Sequence, residues 1–393
     1  MTPMQGQSPA RGRSNLILSA HEVRQTGGME RAAFELTRQL LERGFHVTVV
    51  ARACDLPSHP SLNWVRIRGP ARPASISNAW FFLIGSLALH RAGSGLRITI
   101  GPIVWNRVDA VTVQFCQRGF SKRPSGYRRS RDNPLYRLNA VFASALRLLW
   151  EWWAFRPRRV RKLVPVSTGV ARELHTHFPA LAGDIKVIPN GVDVEAFRPD
   201  AERRRQIRGS LGLGDDAKVA LFIGGDWKRK GLRFGIEAVG ATPEWHLIVV
   251  GAGDTLTYSQ LAERSGADGR VHFVGMIEET APYYAAADAF VFPTQYEAFS
   301  LATLEAAASA LPLLVTRVSG AEDIVRHGEN GWFIERDAAT ILPHLGALSD
   351  QPGLKERMGD AARASVEPFS WEGVADEYEQ LFAELGDSSP RRS

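Results

Sequence analysis

Apolar and polar positions alternate along this chain in two series of the same kind. The first series begins with the apolar run NLILSA, passes through the segment ERAAFELTRQLLERG and returns to the apolar run FHVTVVA. The short apolar runs predict buried strands, and the clustering of Phe34, Leu36, Leu40 and Leu41 near one face predicts a helix that ends at Gly44. A strand, a helix and a second strand form a βαβ unit, which is the seed of a doubly wound parallel sheet.

A second series begins near residue 217, and it predicts a second, independent Rossmann-like domain. Its predicted strands are KVALFIGG, WHLIVVGAG, VHFVGM, AFVFPT and LPLLVT, and its predicted helices include KGLRFGIEAVGAT and the run from Ser300 to Ala310. We place the boundary at the Pro189-Asn190-Gly191 turn, which divides the chain into residues 1–187 and 188–369. The amphipathic segment 370–393 is expected to pack back across the first domain.

The composition is that of a globular protein with more than one domain. The 393 residues are 44% hydrophobic and 23% charged, and the two cysteines allow neither a disulfide framework nor a cysteine zinc site. We therefore expect a cytoplasmic protein, and the N-terminal residues lack the apolar stretch of a signal peptide. The longest apolar segment, AWFFLIGSLALH, is shorter than the roughly 20 residues that span a bilayer, and we interpret it as a core helix.

The net charge of +6 is concentrated in one segment, residues 118–162. This segment carries 13 Lys or Arg against Asp132 and Glu151, so the remainder of the chain is net acidic. Basic residues beside Trp150, Trp152 and Trp153 suit an anionic membrane surface. A polyanionic substrate, a nucleic acid, or a solvated helix face with core tryptophans are the alternatives. We interpret the segment as a peripheral attachment to the inner face of the cell membrane, without a nucleic-acid partner.

Several catalytic motifs are absent or incomplete. The run GAGDTL lacks the third glycine of a dinucleotide fingerprint, and the chain contains no Walker A motif, no Asp-x-Asp and no Gly-x-Ser-x-Gly elbow. His175 and His177 stand two positions apart on a predicted helix, so they cannot bind one metal ion together. We therefore expect neither a metal nor another cofactor.

Two segments have the character of a phosphate site. GGDWKRKG follows a predicted strand as a flexible turn that presents three cations, and cations and exposed backbone N–H groups suit a diphosphate. EAFSLATLEA also follows a strand, and Ser300 is placed to cap the helix that begins there. Glu305 lies five residues further on, where a carboxylate suits a ribose diol, and Glu297 precedes the helix, where it suits sugar hydroxyls.

These segments resemble the retaining glycosyltransferases of family 4, which have the GT-B fold. YEAFSLATLEAAASALPLLVT is similar to the E-x7-E signature of that family, and four further segments match in the same order. They are TGGMERAAFELTRQLLERGFHVTVV, VIPNGVDVEAFRP, VHFVGMIEETAPYYAAADAFVFPT and GAEDIVRHGENGWFI. The resemblance covers most of the chain. It implies two Rossmann-like domains that face each other across a cleft.

The resemblance also implies roles for individual residues. Glu305 matches the glutamate that binds the nucleotide ribose, Glu297 the one that contacts the donor sugar, and Lys230 the lysine on the diphosphate. Glu297 and Lys230 are thus the expected catalytic residues. The remaining expected donor-binding residues are Arg229, Phe299, Ser300, Ile277 and Gly225, and Gly27 and Gly28 match the first-domain loop that faces the phosphates and the acceptor.

Three positions depart from the family pattern. Gly225 stands where the family usually has an arginine, so that Lys228 or Arg229 would have to replace its charge. The usual Glu-Gly-Phe-Gly turn reads Glu297-Ala298-Phe299-Ser300, which requires negative φ at both new residues. Gln114 and Gln117 occupy the neighbourhood in which many members carry a histidine, for which His21 is a possible substitute.

The resemblance implies a glycosyltransferase that uses a UDP- or GDP-sugar and a glycan or lipid-linked acceptor, with retention of configuration. Two alternatives stay open. A non-catalytic GT-B protein would bind the sugar nucleotide without transfer. A GT-B epimerase would turn over the sugar nucleotide without an acceptor, and a GT-B phosphorylase would use free phosphate.

Overall fold

Two six-stranded parallel sheets form the centre of the computed structural model, which describes residues 15–70, 72–121 and 134–387. The first half contains β1 (Asn15–Ser19), β2 (Glu22–Val23), β3 (His46–Ala51), β4 (Ala53–Cys54), β5 (Leu62–Arg66), β6 (Leu96–Ile100), β7 (Val108–Val113) and β8 (Val160–Pro165). The second half contains β9 (Lys218–Ile223), β10 (Trp245–Val250), β11 (Val271–Gly275), β12 (Ala289–Phe292), β13 (Leu313–Thr316) and β14 (Gly331–Ile334).

Helices cover both faces of these sheets. The first half has α1 (Met29–Glu42), α2 (Ala74–Arg91), α3 (Gln117–Ser121), α4 (Pro134–Ala154) and α5 (Thr168–His177). The second half has α6 (Ala201–Ser210), α7 (Trp227–Lys230), α8 (Leu232–Gly240), α9 (Thr255–Arg264), α10 (Ala281–Ala286), α11 (Leu301–Ala308), α12 (Ala321–Ile324), α13 (Ala338–Asp350) and α14 (Leu354–Val366). The last helix is α15 (Trp371–Asp387).

The two sheets have the same strand order. The first runs β5-β3-β1-β6-β7-β8 and the second β11-β10-β9-β12-β13-β14, so in each sheet the order of strands reverses beside the first strand. Such a reversal opens a crevice at the carboxyl ends of the two central strands, where ligands of doubly wound sheets bind. In the second sheet these strands are β9 and β12, which are followed by the two predicted phosphate-site segments.

The helix predicted after the first strand is confirmed as α1. Phe34, Leu36, Leu40 and Leu41 are all buried against the first sheet. Gly44, with a φ of 81°, ends the helix, because its left-handed conformation lets the backbone N–H groups of residues 44 and 45 bond the last carbonyls. The resulting short loop returns the chain into β3.

The last helix, α15, packs back on the first half of the chain as expected. Trp371, Val374, Tyr378 and Leu381 are buried in the same core as β1 and α1. The Tyr378 hydroxyl lies 2.9 Å from Thr112 Oγ1 of β7. The chain therefore crosses between the two sheets twice, once after β8 and once before α15.

The interpretation of residues 79–90 as a core helix is only partly right. In α2, Phe81 and Leu89 are fully buried, but Ile76, Trp80, Leu83 and Leu87 are exposed, with Leu83 at 52%. The apolar residues of this helix are distributed around its whole circumference. One apolar side therefore stays exposed after the other has packed on the sheet. Within the part of the chain that the structure describes, no helix is long and apolar enough to cross a membrane.

Candidate functional site

The loop after β9 places Lys230 over the carboxyl end of the second sheet. Gly224 has a φ of 138°, and a Cβ on it would lie 2.6 Å from Lys230 Nζ, so only glycine leaves room for the lysine side chain. Lys230 Nζ lies 4.7 Å from the ring centroid of Phe292, at the end of β12. The ammonium group is therefore held between the two central strands.

The sequence predicts a flexible turn for the three cations of this loop, but they lie in the helical turn α7. Lys228 is exposed. Arg229 and Lys230 instead approach one carboxylate, since Arg229 Nη1 donates to Glu297 Oε1 at 3.0 Å and Lys230 Nζ lies 3.6 Å from the same atom. Arg229 Nη1 also donates to the Tyr296 carbonyl at 2.5 Å.

Burial and Glu297 act in opposite directions on these two cations. Burial lowers the pKa of Lys230, and the nearby Glu297 carboxylate offsets part of that effect. Burial also opposes the charge of Arg229, but the Glu297 and Asp226 carboxylates prevail and raise the pKa of Arg229. The site thus holds one permanent positive charge beside one that burial weakens.

The turn between β12 and α11 has the predicted helix cap. Ser300 Oγ accepts a hydrogen bond from Thr303 N at 3.2 Å, and Thr303 Oγ1 donates to it at 2.8 Å. Ser300 has a φ of −96°, and neither it nor Ala298 has a positive φ, so the departure from two glycines causes no backbone strain. Phe299 and Ser300 are both buried, and the Ser300 oxygen accepts both of these hydrogen bonds within the cap.

Glu305 is buried one and a half turns into α11, and both of its carboxylate oxygens have a partner. Tyr284 of α10 donates its hydroxyl to Oε2 at 2.8 Å, and Arg31 of α1 donates to Oε1 at 2.6 Å. Burial raises the pKa of Glu305, while the Arg31 guanidinium acts against that rise. Sequence reasoning identified the carboxylate and missed both partners, because no local pattern links them to it.

Gly27 and Gly28 form the loop that leads into α1. Gly27 has a φ of 93°, and a Cβ on it would lie 2.4 Å from the Glu30 carboxylate, so this position requires glycine. Gly28 is the residue that precedes the helix. Since Arg31 lies in the first turn, the loop is adjacent to the residue that contacts Glu305.

Ile277 and Gly225 lie in the loops after β11 and β9, and both are exposed. The carboxyl ends of parallel strands meet at one edge of a sheet, so these loops belong to the edge that carries Lys230 and Glu297. A Cβ on Gly225 would meet only the Ala252 carbonyl, at 3.7 Å, which leaves open space above this position.

The first half of the chain also contacts the turn that carries Glu297. Ser167, between β8 and α5, donates its hydroxyl to the Ala298 carbonyl at 2.8 Å and accepts from Val170 N at 3.1 Å. Thr168 N donates to Asp323 Oδ2 at 3.0 Å. The two halves of the chain therefore meet directly at the candidate site.

The residues in place of the family histidine have other partners. The Gln114 side-chain amide exchanges two hydrogen bonds of 3.1 Å with that of Asn190, and Gln117 N donates to Glu151 Oε1 at 2.6 Å. His21 packs on Phe81 with ring centroids 4.6 Å apart, and burial, helped by Arg52, lowers the pKa of His21 to about 4. His21 is therefore neutral near pH 7.

Comparisons with known proteins point to the same class of enzyme for both halves. Residues 26–196 match the family described as Glycosyltransferase Family 4. Residues 217–350 match the family described as Glycosyl transferases group 1. An uncharacterised glycosyltransferase of Methanocaldococcus jannaschii is 26% identical over 92% of this chain and 95% of that protein. A D-inositol 3-phosphate glycosyltransferase of Streptomyces scabiei is 32% identical, over 56% of this chain and 52% of that protein.

Solved structures share the whole architecture at low sequence identity. Sucrose-phosphate synthase from Thermosynechococcus elongatus has a TM-score of 0.77 at 21% identity, covering 96% of this chain and 100% of that one. WaaG, a glycosyltransferase involved in lipopolysaccharide biosynthesis, has a TM-score of 0.75 at 18% identity, covering 93% and 99%. An Anabaena protein in complex with UDP and glucose has a TM-score of 0.70 at 15% identity, covering 95% and 100%.

Proposed function

Because the chain belongs to the family 4, group 1 glycosyltransferases, we propose that it transfers a sugar from a nucleoside diphosphate to a hydroxyl of a glycan or lipid-linked acceptor, with retention of configuration. The GT-B fold, predicted from the sequence, is confirmed by the two doubly wound sheets and the returning α15. The UDP and glucose bound to the Anabaena structure support a sugar nucleotide as the donor.

One observation carries this proposal. Two cations, Arg229 and Lys230, approach the carboxylate of Glu297 at the edge of the sheet where β9 and β12 end. A diphosphate at this edge would receive positive charge from the cations, and Glu297 would accept hydrogen bonds from the sugar. The Glu305 carboxylate, in the helix that follows, would accept hydrogen bonds from the ribose.

The chemistry follows from where charge develops. The bond between the anomeric carbon and the diphosphate oxygen breaks, and a bond from the acceptor oxygen to the same carbon forms on the same face of the sugar. The acceptor proton passes to the departing diphosphate. Because negative charge grows on the leaving group, Lys230 and Arg229 stabilise the transition state more than the bound substrate. We propose that this charge suffices without a metal ion.

The test is a screen of nucleoside diphosphates by thermal shift, followed by incubation of the matching sugar nucleotides with acceptor extracts in EDTA. We expect one nucleotide to raise the melting temperature and its sugar to be transferred with the anomeric configuration retained, as read by NMR. Binding without release of the sugar would support a non-catalytic binder instead. Turnover without an acceptor would indicate an epimerase, and a requirement for phosphate would indicate a phosphorylase.

We further propose that the acceptor lies at an anionic membrane surface, because an apolar face and an arginine cluster adjoin each other in the first half of the chain. The apolar face consists of exposed side chains of the packed pair α2 and α4, among them Leu83, Val141, Phe142 and Leu149. An apolar face of this kind inserts into the headgroup region when cations flank it.

The arginine cluster consists of Arg107, Arg156, Arg158 and Arg159, which line a cavity of about 470 Å³. Arg156 lies 3.7 Å from the ring centroid of Trp152, and Arg159 lies 3.9 Å from that of Trp153. These tryptophans are thus not simply core residues. Within the described residues none of the four guanidinium groups has a carboxylate partner. Unneutralised charges of one sign suit the phosphate headgroups of a bilayer.

Two parts of the basic segment do not contribute to this argument. Arg161 Nη1 is paired with Asp109 Oδ1 at 3.0 Å, and Lys162 Nζ lies 3.8 Å from Asp184 Oδ1, so both support the fold rather than a membrane contact. Residues 122–133, which include Lys122, Arg123, Arg128, Arg129 and Arg131, lie outside the described residues.

Vesicle sedimentation tests the membrane proposal. We expect the wild type to sediment with phosphatidylglycerol vesicles and to stay in solution with phosphatidylcholine vesicles. Replacing Arg107, Arg156 and Arg158 by Gln should abolish the difference. The matched control replaces Arg198, Arg233 and Arg326, exposed arginines of the second half, by Gln. Equal losses in the two triple variants would indicate a non-specific charge effect, and binding of RNA in place of vesicles would favour a nucleic-acid partner.

A further inference from the structure

The side chain of Arg31 crosses from the first half of the chain to the buried carboxylate of the second. Arg31 Nη1 donates to Glu305 Oε1 at 2.6 Å, although the two residues are 274 positions apart. The Glu305 side chain is only 9% exposed, whereas that of Arg31 is 26% exposed. A charge-assisted hydrogen bond that is largely shielded from solvent is screened less than a surface ion pair.

The contact belongs to a cluster drawn from three parts of the chain. The Arg31 guanidinium lies 5.6 Å from the ring centroid of Phe197, in the segment that joins the two sheets. Phe197 packs edge-on against Tyr284, with centroids 5.4 Å apart, and Tyr284 donates to Glu305. Phe197 and Tyr284 are buried. The position of Glu305 is therefore set by α1, by the connecting segment and by α10 together.

We propose that Arg31 is a positioning residue for the nucleotide ribose: it fixes the orientation of the Glu305 carboxylate and keeps it available to accept the ribose hydroxyls. This inference rests on the proposed function, in which Glu305 binds the ribose. It extends that function, because it makes the ribose site a product of both halves of the chain.

The hydrogen-bonding capacity of the carboxylate allows this role. An ionised carboxylate offers about four acceptor positions, two on each oxygen. Arg31 occupies one position on Oε1 and Tyr284 one on Oε2, so each oxygen retains capacity for one hydroxyl of a diol. A diol matches that pair of positions, whereas a single hydroxyl or a ribose without hydroxyls does not.

The charges around Glu305 explain why a cation is needed there. Burial raises the pKa of Glu305, and the groups that oppose this rise are, in decreasing order of effect, Arg31 of α1, the Tyr284 hydroxyl of α10 and Lys230 of α7. A protonated carboxyl would keep only part of its acceptor capacity and would lose the charge that strengthens bonds to hydroxyls. Without Arg31, Glu305 would therefore protonate at a higher pH.

The decisive measurement compares a nucleotide with its analogue that lacks the ribose hydroxyls. Calorimetry would give Kd for UDP, GDP or ADP, whichever binds most tightly, and for its 2′,3′-dideoxy form. We expect Arg31→Gln to weaken binding of the ribonucleotide about tenfold, the loss of about one charge-assisted hydrogen bond between Glu305 and a ribose hydroxyl. Binding of the dideoxy form should weaken less than twofold, because it has no hydroxyls to bond Glu305. Arg31→Lys should restore part of the affinity.

The pH dependence gives a second readout that a purely structural contact would not change. As the pH falls, we expect the affinity of Arg31→Gln for the ribonucleotide, relative to the dideoxy form, to decrease at a higher pH than in the wild type, because Glu305 takes up its proton earlier. The dideoxy form carries the same phosphates, so this ratio removes their own titration. Arg38→Gln is the matched control, since Arg38 lies in the same helix and pairs there with Glu35 and Glu42.

The outcomes separate this inference from the function on which it rests. If Glu305→Gln weakens only the ribonucleotide but Arg31→Gln changes nothing, Glu305 binds the ribose and the role of Arg31 is refuted. If Arg31→Gln weakens both nucleotides equally, Arg31 holds the two halves together and does not act through the ribose, which also refutes the inference. If no nucleoside diphosphate binds the wild type, the proposed function fails, and the inference fails with it.

Discussion

Lys230 Nζ lies 3.6 Å from Glu297 Oε1, which joins the loop after β9 to the turn after β12. The two strands are the central pair of the second sheet, and the order of strands reverses between them. We propose that the cation and the carboxylate contact one ligand from two sides. The cation suits a phosphate and the carboxylate suits a hydroxyl, and a sugar nucleotide carries both.

The neighbouring lysines give a matched test of the cation. We expect Lys230→Met to weaken binding of a nucleoside diphosphate about 10- to 100-fold, because it removes one charge-assisted hydrogen bond to phosphate. The transfer rate should fall as well, since the same charge stabilises the leaving group. Lys228→Met removes an exposed charge from the same helical turn, and we expect it to leave both quantities within about twofold. Equal effects in the two variants, measured by calorimetry and initial rates, would contradict the assignment.

Substitution of Glu305 tests the ribose end of the proposed donor site. Glu305→Ala should raise the Kd of the nucleotide by about one to two powers of ten, the loss expected for charge-assisted hydrogen bonds to the ribose. Glu263→Ala, which removes an exposed carboxylate of α9, serves as the control. Unchanged affinity in Glu305→Ala, with the fold confirmed by circular dichroism, would exclude the ribose assignment.

The affinity for nucleotide should decrease on the alkaline side. Burial lowers the pKa of Lys230, so its ammonium loses the proton at a lower pH than an ordinary lysine, whose pKa is about 10.4. As the pH rises through that lowered value, the diphosphate loses a positive partner and Kd increases. Lys230→Arg keeps its charge throughout this interval and should flatten the profile. An identical alkaline decrease in this variant, measured from pH 7 to pH 10, would assign the titration to another group.

Gly225 offers a site at which a cation can be added. A Cβ there has open space, with the Ala252 carbonyl at 3.7 Å as its nearest neighbour, and the residue does not have a positive φ. We therefore expect Gly225→Arg to fold normally and to tighten binding of the diphosphate a few-fold, about 1 kcal/mol for one added charge-assisted contact. Gly224→Ala is the contrasting change, because its Cβ would collide with Lys230 and should lower the melting temperature. Weaker nucleotide binding in a normally folded Gly225→Arg would show that the donor does not pass this loop.

Substitution of Asp288 tests the folding stability of the second half rather than the candidate site. The buried carboxylate pairs with Arg204 and Arg208 at 2.7 Å each and with Lys355 at 3.1 Å. Asp288→Asn leaves the fully buried Arg208 without its counter-charge, and we expect a loss of about 3–5 kcal/mol in the free energy of unfolding. Asp268→Asn, an exposed position, is the control.

The acid stability of the protein follows from the same group. Although burial raises the pKa of Asp288, the three cations prevail and lower it. A carboxyl whose pKa is lowered by folding stabilises the protein above its unfolded pKa, and that stabilisation is lost as the pH falls through the folded value. We expect the stability difference between wild type and Asp288→Asn to shrink below about pH 4, near the unfolded pKa of an aspartate. A stability difference that does not change as the pH falls below about 4 would contradict this origin.

Local patterns determined a large part of this protein. Apolar runs and the period of α1 predicted the doubly wound sheets, because burial on both faces of a parallel strand is visible in a few consecutive residues. The cap at Ser300 and the placement of Glu297 and Lys230 after strands β12 and β9 were equally readable, since each depends on neighbours in sequence.

Other features depend on packing between distant elements, and the sequence alone did not reveal them. The exposed side of α2 could not be told from a buried one, because its apolar residues surround the whole helix and only its neighbours decide which of them are covered. The segment of Lys228, Arg229 and Lys230 carried three equivalent charges in sequence, and the helical turn α7 with Glu297 opposite made them unequal.

The contact of Arg31 with Glu305 shows where the division lies. In the sequence, Glu305 had the nucleotide ribose as its expected ligand, whereas nothing distinguished Arg31 from the other arginines. Periodicity reports which face of an element is buried, but it carries no information on the relative placement of two domains whose contacting residues are 274 positions apart. Only the tertiary structure brings α1 to α11, because that placement is the sum of many weak contacts along the whole chain, and so it alone determined which cation faces the buried carboxylate.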